Sequence, residues 1–324
     1  MYYFHNYFYS INVTDDTSWP QMEKWAEFPI WQTIFYMCLN IHHVLVLITI
    51  RKFINGSSFF FIYFVTGCFD VYYCYTLTTY NIFKNTMSGP IYIWLSQLNS
   101  TSLFFGLFNN LFGNMMMSIN RFCATFLSYE RYWRPMHICI YFSITATISL
   151  SCCTPYILRH RSFYILNGKW AYTNENLTLI LQRSIAISII GLYEIIGISM
   201  SILTVYRLKI HGIRSKKNEK NLILVTSLHI LVDIVAMFIM ICEFLEWQFP
   251  LALFAVRNVF PVTYTVVILN SVTIVVTNGR VRDAYLATCR FWKKRVEDGK
   301  NSSESRQHTT LPPTPQHGGK VAVF

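Results

Sequence analysis

Long apolar stretches recur along the chain, and charged or helix-breaking residues separate them. A helix that crosses the hydrocarbon core of a bilayer needs about 20 apolar residues. The separating segments include Arg51-Lys52, Gly89-Pro90 and Phe249-Pro250. The pattern predicts seven membrane-spanning helices, at Phe28–Ile50, Phe59–Ile82, Tyr92–Asn120, Ile138–Tyr156, Ser184–Tyr206, Leu222–Leu245 and Phe254–Thr277.

Composition agrees with this pattern. The chain has 324 residues, of which 53% are hydrophobic and 13% are charged, whereas soluble proteins carry roughly 25% charged residues. A soluble helical bundle would place charges on every turn of its outer face, and these stretches do not. Disordered chains, nucleic-acid modules and most cytosolic enzymes are therefore excluded. The predicted fold is an all-α membrane protein, a bundle of seven transmembrane helices.

The distribution of Lys and Arg predicts the orientation of the bundle. If residues 1–27 are extracellular, 20 of the 27 basic residues fall in cytoplasmic loops and the tail, as the positive-inside rule requires. The net charge of +11 then reflects inner loops that face anionic lipid, with no nucleic-acid partner. The first 27 residues have neither a basic start nor an apolar block, so we expect no cleavable signal peptide.

The segment after the seventh span has two parts. Residues 278–296 mix apolar and basic side chains, which predicts a short cytoplasmic amphipathic helix. Cys289 lies in this helix, where a juxtamembrane cysteine is a candidate for palmitoylation. Residues 297–324 are polar and rich in Ser, Thr and Pro, which predicts a disordered cytoplasmic tail. Two glycosylation sequons, at Asn12 and Asn176, fall on the predicted outer side.

The predicted third span has one small, polar face. Asn99, Asn110 and Arg121 are eleven residues apart, and eleven residues make almost three full helical turns. Gly106 and Gly113 fall on the same stripe, and bulky apolar residues occupy the opposite face. In lipid the polar face must contact other helices. The asparagines could serve only to join helices or could take part in function, and the sequence leaves both readings open.

Three acidic residues lie near the middle of predicted spans: Asp70, Glu194 and Asp233. A charge at the bilayer centre costs at least about 2.5 kcal/mol, so we expect these acids to be protonated and hydrogen-bonded, or to bind a cation or water. His42 and His43 are interpreted as packing or hydrogen-bonding residues. The nine cysteines include no C-x-x-C pair, and no metal or cofactor is predicted. No catalytic motif is present, so an enzyme is not expected.

The end of the third span resembles a family motif. Met117-Ser118-Ile119-Asn120-Arg121-Phe122 is followed by Tyr132-Trp133-Arg134-Pro135. On these residues the chain resembles a G-protein-coupled receptor, and more narrowly a nematode serpentine chemoreceptor of the Srg superfamily, Srv or Srg class. Glu219-Lys220-Asn221-Leu222 and Pro261 add to the likeness. Asn120 stands where rhodopsin-like receptors have an acid, and their Asn-Pro-x-x-Tyr motif is missing.

The resemblance implies a chemosensory receptor that binds an external small molecule or peptide and activates a heterotrimeric G protein. The implied location is the plasma membrane, with sensory cilia as a specific site. The residues assigned to G-protein coupling are Asn120, Arg121, Tyr132, Trp133, Arg214, Lys216 and Lys217. Four residues near the outer ends are assigned to ligand binding, namely Ser96, Asn99, Glu243 and Arg257. The alternative function is a ligand-gated channel or transporter that uses the intramembrane acids as an ion path.

Overall fold

The described part of the chain is almost entirely helical in the computed structural model. The model describes residues 9–11, 30–83, 86–126, 133–158, 161–166, 169–174, 176–210, 231, 234–235, 237–239, 241–242, 250–251, 254 and 259–290. Six long helices are α1 (Ile30–Ile50), α2 (Ser58–Phe83), α3 (Gly89–Phe126), α4 (Pro135–Leu158), α5 (Asn176–Ile210) and α6 (Val259–Thr277). A 3-10 turn, Ile54–Gly56, separates α1 from α2.

Two parts of the chain need separate mention. α6 covers most of the predicted seventh span. The predicted sixth span is described only in part, and its described residues between 231 and 242 are helical. Residues 279–290 form a last helix, α7, within the range predicted for the amphipathic helix. Residues 291–324 lie outside the described part.

Four helical segments of the described part are long and apolar enough to cross a membrane. They are Trp31–Ile50, Ser58–Tyr80, Pro135–Cys153 and Ile187–Arg207. They lie in α1, α2, α4 and α5, which cover the predicted first, second, fourth and fifth spans. Their outward faces carry exposed isoleucines, such as Ile41, Ile144 and Ile195. Exposed apolar side chains on helices of this length and composition suit lipid rather than water, so the chain is a helical membrane protein.

α3 lies between three other helices. It has 38 residues, a length of about 57 Å at 1.5 Å per residue, and extends beyond the predicted span at both ends. It contacts α2, α4 and α5. The Phe112 ring centre lies 5.4 Å from that of Phe142 on α4 and 5.6 Å from that of Tyr193 on α5. Because neighbours surround α3, its asparagines can find hydrogen-bond partners inside the protein.

Two glycines allow α3 to approach α2 closely. A Cβ atom at Gly113 would overlap the side chain of Thr66, and one at Gly106 would lie 2.6 Å from Cβ of Tyr73. Small residues at such positions let helix backbones approach in a membrane. The small face predicted for the third span is therefore the face that packs against α2.

A three-stranded sheet combines two strands from the segment between α4 and α5 with one strand from the amino-terminal segment. The strands are β1 (Tyr9–Ile11), β2 (Arg161–Leu166) and β3 (Lys169–Asn174), in the order β1-β2-β3. β2 and β3 form an antiparallel hairpin, and β1 pairs with β2 in parallel, with Tyr9 opposite Arg161. No strand was predicted for these residues, because only stretches long enough to cross a bilayer were considered in the sequence, and each strand has six residues or fewer.

α7 folds back along α1. The Asn278 side-chain oxygen accepts a hydrogen bond from the backbone N–H of Val281 at 3.2 Å, which caps the start of the helix. Val281 is fully buried in the same apolar cluster as Ile50. One turn later, the Tyr285 hydroxyl shares a hydrogen bond of 2.8 Å with Nδ1 of His42. The shared apolar cluster and the His42–Tyr285 hydrogen bond thus hold α7 to the bundle.

Candidate functional site

Polar side chains from four helices meet inside the bundle. We call this group the central polar cluster. Its members come from α1, α2, α3 and α6, and all of them are buried. They are His43, Tyr63, Asp70, Asn110, Asn114, Asn270 and Ser271.

A chain of amides runs through the cluster from α2 to α6. The Asn110 amide donates to Oδ1 of Asp70 at 2.6 Å. The Asn114 amide donates to Oδ1 of Asn110 at 3.3 Å, one turn along α3. The Asn270 amide of α6 donates to Oδ1 of Asn114 at 3.4 Å. Because each amide both donates and accepts, a change in one bond affects the next.

His43 joins α1 to this chain. Its Nδ1 is hydrogen-bonded to the Ser271 hydroxyl on α6, and its Nε2 lies 3.3 Å from the carbonyl oxygen of Gly67 on α2. The same Nε2 is 3.9 Å from Oδ2 of Asp70. The Tyr63 hydroxyl donates to Ser271 at 3.4 Å. His43 therefore touches both the helix that carries Asp70 and the helix that carries Ser271.

The protonation states of Asp70 and His43 affect the stability of the bundle because both side chains are buried. Asp70 is 2% exposed and His43 is 1% exposed. A buried charge is costly unless a partner of opposite charge or several hydrogen bonds compensate it. The sequence predicted Asp70 as a polar residue within the membrane, and the structure places it beside Asn110, which the sequence also singled out. His43 was interpreted as a hydrogen-bonding residue, and it does form hydrogen bonds.

A second contact between helices lies toward the start of α6. The Tyr264 hydroxyl donates to the carbonyl oxygen of Cys74 at 2.7 Å and is also hydrogen-bonded to Thr78. The Tyr264 ring stacks on that of Tyr36, with centres 4.4 Å apart. α6 is therefore fixed to α1 and α2 at two levels, here and at the central polar cluster.

The carboxyl end of α3 carries the residues assigned to G-protein coupling. The Asn120 amide donates to the Ser58 hydroxyl at 3.0 Å, at the start of α2. The Arg121 guanidinium is buried and lies 4.7 Å from the centre of the Phe59 ring. Trp133 is also buried, in the main apolar cluster. Tyr132, Arg214, Lys216 and Lys217 lie outside the described residues.

α5 meets the same end of α3 through a cation–π contact. The Arg207 guanidinium lies 3.9 Å from the centre of the Phe126 ring. Phe126 in turn stacks on Phe122, with ring centres 4.3 Å apart. No spacing rule links Arg207 to Phe126, so this contact could not be predicted from the sequence.

Two of the four residues assigned to ligand binding lie in the described part of the chain. Ser96 and Asn99 both lie buried on α3, and the Ser96 hydroxyl donates to the carbonyl oxygen of Ile93 at 2.8 Å. Glu243 and Arg257 lie outside the described residues. The ligand-binding assignment therefore stays a prediction.

Of the remaining predicted residues, Glu194 and Asn176 lie in the described part of the chain. Glu194 is buried on α5. Asn176 is the first residue of α5, which begins eight residues before the predicted span. Asp233 and Asn12 lie outside the described residues. Within the described part, no three His, Cys, Asp or Glu side chains are grouped closely enough to hold a metal ion.

Cys289 lines an apolar cavity of about 740 Å³ between α1 and α2. The lining includes Ile41 and Ile48 of α1 and Tyr75 and Ile82 of α2. Cys289 also neighbours Tyr285: burial first, and then Cys289, raise the pKa of the Tyr285 hydroxyl to about 12. The palmitoylation of Cys289, which lines this apolar cavity, stays a prediction.

Four members of the central polar cluster, Tyr63, Asn114, Asn270 and Ser271, were missed as site residues. Asn114 follows Asn110 by four positions, so the same helical face predicts it. Asn270 and Ser271 form a polar pair within the apolar run of α6, and that interruption was the available signal.

Comparison with known proteins adds no relative. No protein-family model matches the sequence, and no curated protein matches it.

Proposed function

We propose that the chain is a G-protein-coupled receptor with seven membrane spans, an outer amino terminus and a chemosensory role. The observation that carries the proposal is the central polar cluster, hydrogen-bonded across four helices. A receptor needs a bundle with two arrangements that a ligand can distinguish. Buried hydrogen bonds between helices have discrete alternatives, so they suit such a two-state device better than a uniformly apolar interior does.

The carboxyl end of α3 supplies the proposed coupling surface. Arg121 is buried above Phe59, and Asn120 ties α3 to the first residue of α2. A helix shift at this end would expose the guanidinium to the cytoplasm. Together with the basic residues between α5 and the predicted sixth span, it would face the acidic surface of a partner protein. A heterotrimeric G protein is the partner that the motif at Asn120-Arg121 favours.

The proposed ligand is a small molecule or peptide that reaches the bundle from outside. The physical requirement is that it binds one arrangement of the helices better than the other. The proposed location is the plasma membrane, with sensory cilia as the site in a sensory neuron. Orientation rests on the 20 basic residues of the predicted inner side.

The test is a signalling assay in cells that express the chain with an extracellular epitope tag. A panel of volatile and water-soluble compounds is applied, and G-protein activation is measured by energy transfer between its subunits. Arg121→Ala should abolish the response at equal surface level. Arg51→Ala removes an exposed inner arginine and should leave the response intact. A full response of Arg121→Ala would contradict the proposal.

A channel or transporter is the alternative, and the same cells separate it from a receptor. A compound that evokes a membrane current while all G proteins are inactivated would favour an ion path through the intramembrane acids. Asp70→Asn would then change the ion selectivity or the conductance of that current. A response that disappears with the G proteins favours the receptor.

A further inference from the structure

We infer that His43 and Asp70 form a buried unit that carries one titratable proton in total, on either residue, so that the unit is electrically neutral. His43 is then the internal counter-charge of Asp70, and no bound cation is required there. The inference concerns the charge state of the helix bundle. It does not depend on whether the chain couples to a G protein.

The hydrogen bonds of His43 fix one of its protons. The carbonyl oxygen of Gly67, 3.3 Å from Nε2, can only accept, so Nε2 must carry hydrogen. Nδ1 meets the hydroxyl of Ser271, which can either donate or accept. The surroundings therefore accept His43 both as a neutral ring and as an imidazolium ion.

The surroundings of Asp70 likewise accept it either as a carboxylate or as a carboxylic acid. Its Oδ1 accepts from Asn110 at 2.6 Å, and its Oδ2 is 3.9 Å from Nε2 of His43. If His43 is an imidazolium ion, Asp70 is a carboxylate; if His43 is neutral, Asp70 is a carboxylic acid. Both arrangements contain one titratable proton in addition to the hydrogen on Nε2, and neither has a net charge. Any other proton count leaves an uncompensated charge between two residues that are 97% or more buried, which is costly.

The other titratable groups near this unit are accounted for helix by helix. On α1 the neighbour is His42, which contacts Tyr285 of α7. On α2 they are Tyr63, Cys68 and Cys74. The described contacts of α3 and α6 with the unit come from the Asn110 amide and the Ser271 hydroxyl. None of these side chains titrates between pH 4.5 and 6 except a histidine, so His42 needs its own control.

The proton count predicts a signature in stability against pH. Between about pH 4.5 and 6, an unfolded chain keeps His43 protonated and Asp70 ionised, which is also one proton. The His43–Asp70 unit should therefore not make the stability of the wild-type protein depend on pH. In His43→Asn, folding places Asp70 alone in the bundle as a neutral acid, so the folded state binds the extra proton. Stability then falls as pH rises.

In Asp70→Asn the sign reverses. His43 is alone and neutral when folded but protonated when unfolded, so the unfolded state binds the extra proton. Stability then rises with pH. A difference of one proton changes the unfolding equilibrium by up to about tenfold per pH unit. The double variant His43→Asn/Asp70→Asn has no titrating group at the unit and should again show no slope.

The experiment measures thermal unfolding of the detergent-purified full chain from pH 4.5 to 6, for wild type, the two single variants and the double variant. His42→Asn is the matched control, one residue away and directed at Tyr285, and it should not reproduce the slope of His43→Asn. Opposite slopes for the two single variants, cancelled in the double variant, support the inference. Equal slopes for all four proteins overturn it.

Two further measurements keep the test decisive. If His43→Asn fails to fold, the rising slope of Asp70→Asn relative to wild type remains diagnostic, and its absence overturns the inference. Replacing potassium chloride by sodium chloride should leave the melting temperature of wild type unchanged. A sodium-specific stabilisation of wild type that Asp70→Asn abolishes would show that a bound ion, rather than His43, neutralises Asp70.

Discussion

Asn110 of α3 donates a 2.6 Å hydrogen bond to Asp70 of α2, and both side chains are buried. The bond crosses the interface where Gly106 and Gly113 bring the two helices together. Close packing and a polar contact therefore coincide on one face of α3. Because both side chains are buried, removing the donor leaves the Asp70 oxygen without its partner, at a cost in free energy.

Removing this donor should destabilise the protein. Asn110→Leu leaves Oδ1 of Asp70 without its amide partner, and we expect a loss of about 2 kcal/mol. Asn109→Leu is the matched control, because the amide of Asn109 donates to the carbonyl oxygen of Phe105 in its own helix at 2.7 Å. Thermal unfolding in detergent compares the two variants. Equal losses would contradict a specific role for the bond between Asn110 and Asp70.

The polar face of α3 could be predicted from spacing, but its partners could not. Asn99, Asn110 and Arg121 recur every eleven residues, and this alone places them on one stripe. That Asp70 rather than Glu194 meets Asn110 depends on the rotation and height of α2 relative to α3. Those quantities are set by contacts such as Gly113 against Thr66, which join residues 47 positions apart in sequence.

The three-stranded sheet was missed for a different reason. Apolar length is a strong signal for a membrane helix, whereas a strand of six residues gives little signal of its own. β1 also pairs with β2 across about 150 residues of chain, a distance over which no local pattern operates. The membrane helices followed from local composition, and the sheet depended on pairing between distant segments.

The close approach at Gly113 predicts a steric effect. Gly113→Ala places a methyl group against Thr66 and should destabilise the bundle by about 1–3 kcal/mol through overpacking. At Gly191 of α5 an added Cβ meets nothing within 4 Å, so Gly191→Ala should be neutral or slightly stabilising through helix propensity. Thermal unfolding measures both, and a Gly113→Ala protein as stable as Gly191→Ala would refute the packing argument.

The contact between Arg207 and Phe126 predicts an effect on basal signalling, if the chain is a receptor. A cation–π contact contributes about 0.5–2 kcal/mol, and this one joins α5 to the end of α3. Phe126→Leu should loosen that end and raise ligand-independent G-protein activation by several-fold. Arg134→Ala, at an exposed position before α4, is the control. Unchanged basal activity at equal surface level would show that the contact does not restrain the resting state.

The position of Cys289 predicts where an acyl chain would be attached. If Cys289 is palmitoylated, Cys289→Ala should lose most of the label in an acyl-exchange assay. Cys139 is exposed on α4, and Cys139→Ala should keep the label. Full labelling of Cys289→Ala would assign the modification to another cysteine or exclude it.

Tyr285 predicts a stability change at alkaline pH. Burial, together with the neighbouring Cys289, raises the pKa of its hydroxyl from 10.0 to about 12, so the folded state favours the neutral phenol. This contribution to stability is complete below pH 10 and is lost as pH rises from 10 to about 12. Tyr285→Phe cannot ionise and should lose less stability over that window than wild type. The exposed Tyr206 provides the control, Tyr206→Phe, which should follow wild type. Thermal unfolding at half-unit steps from pH 9 to 12 measures the difference, and parallel curves for wild type and Tyr285→Phe would show that α7 does not restrict ionisation of this tyrosine.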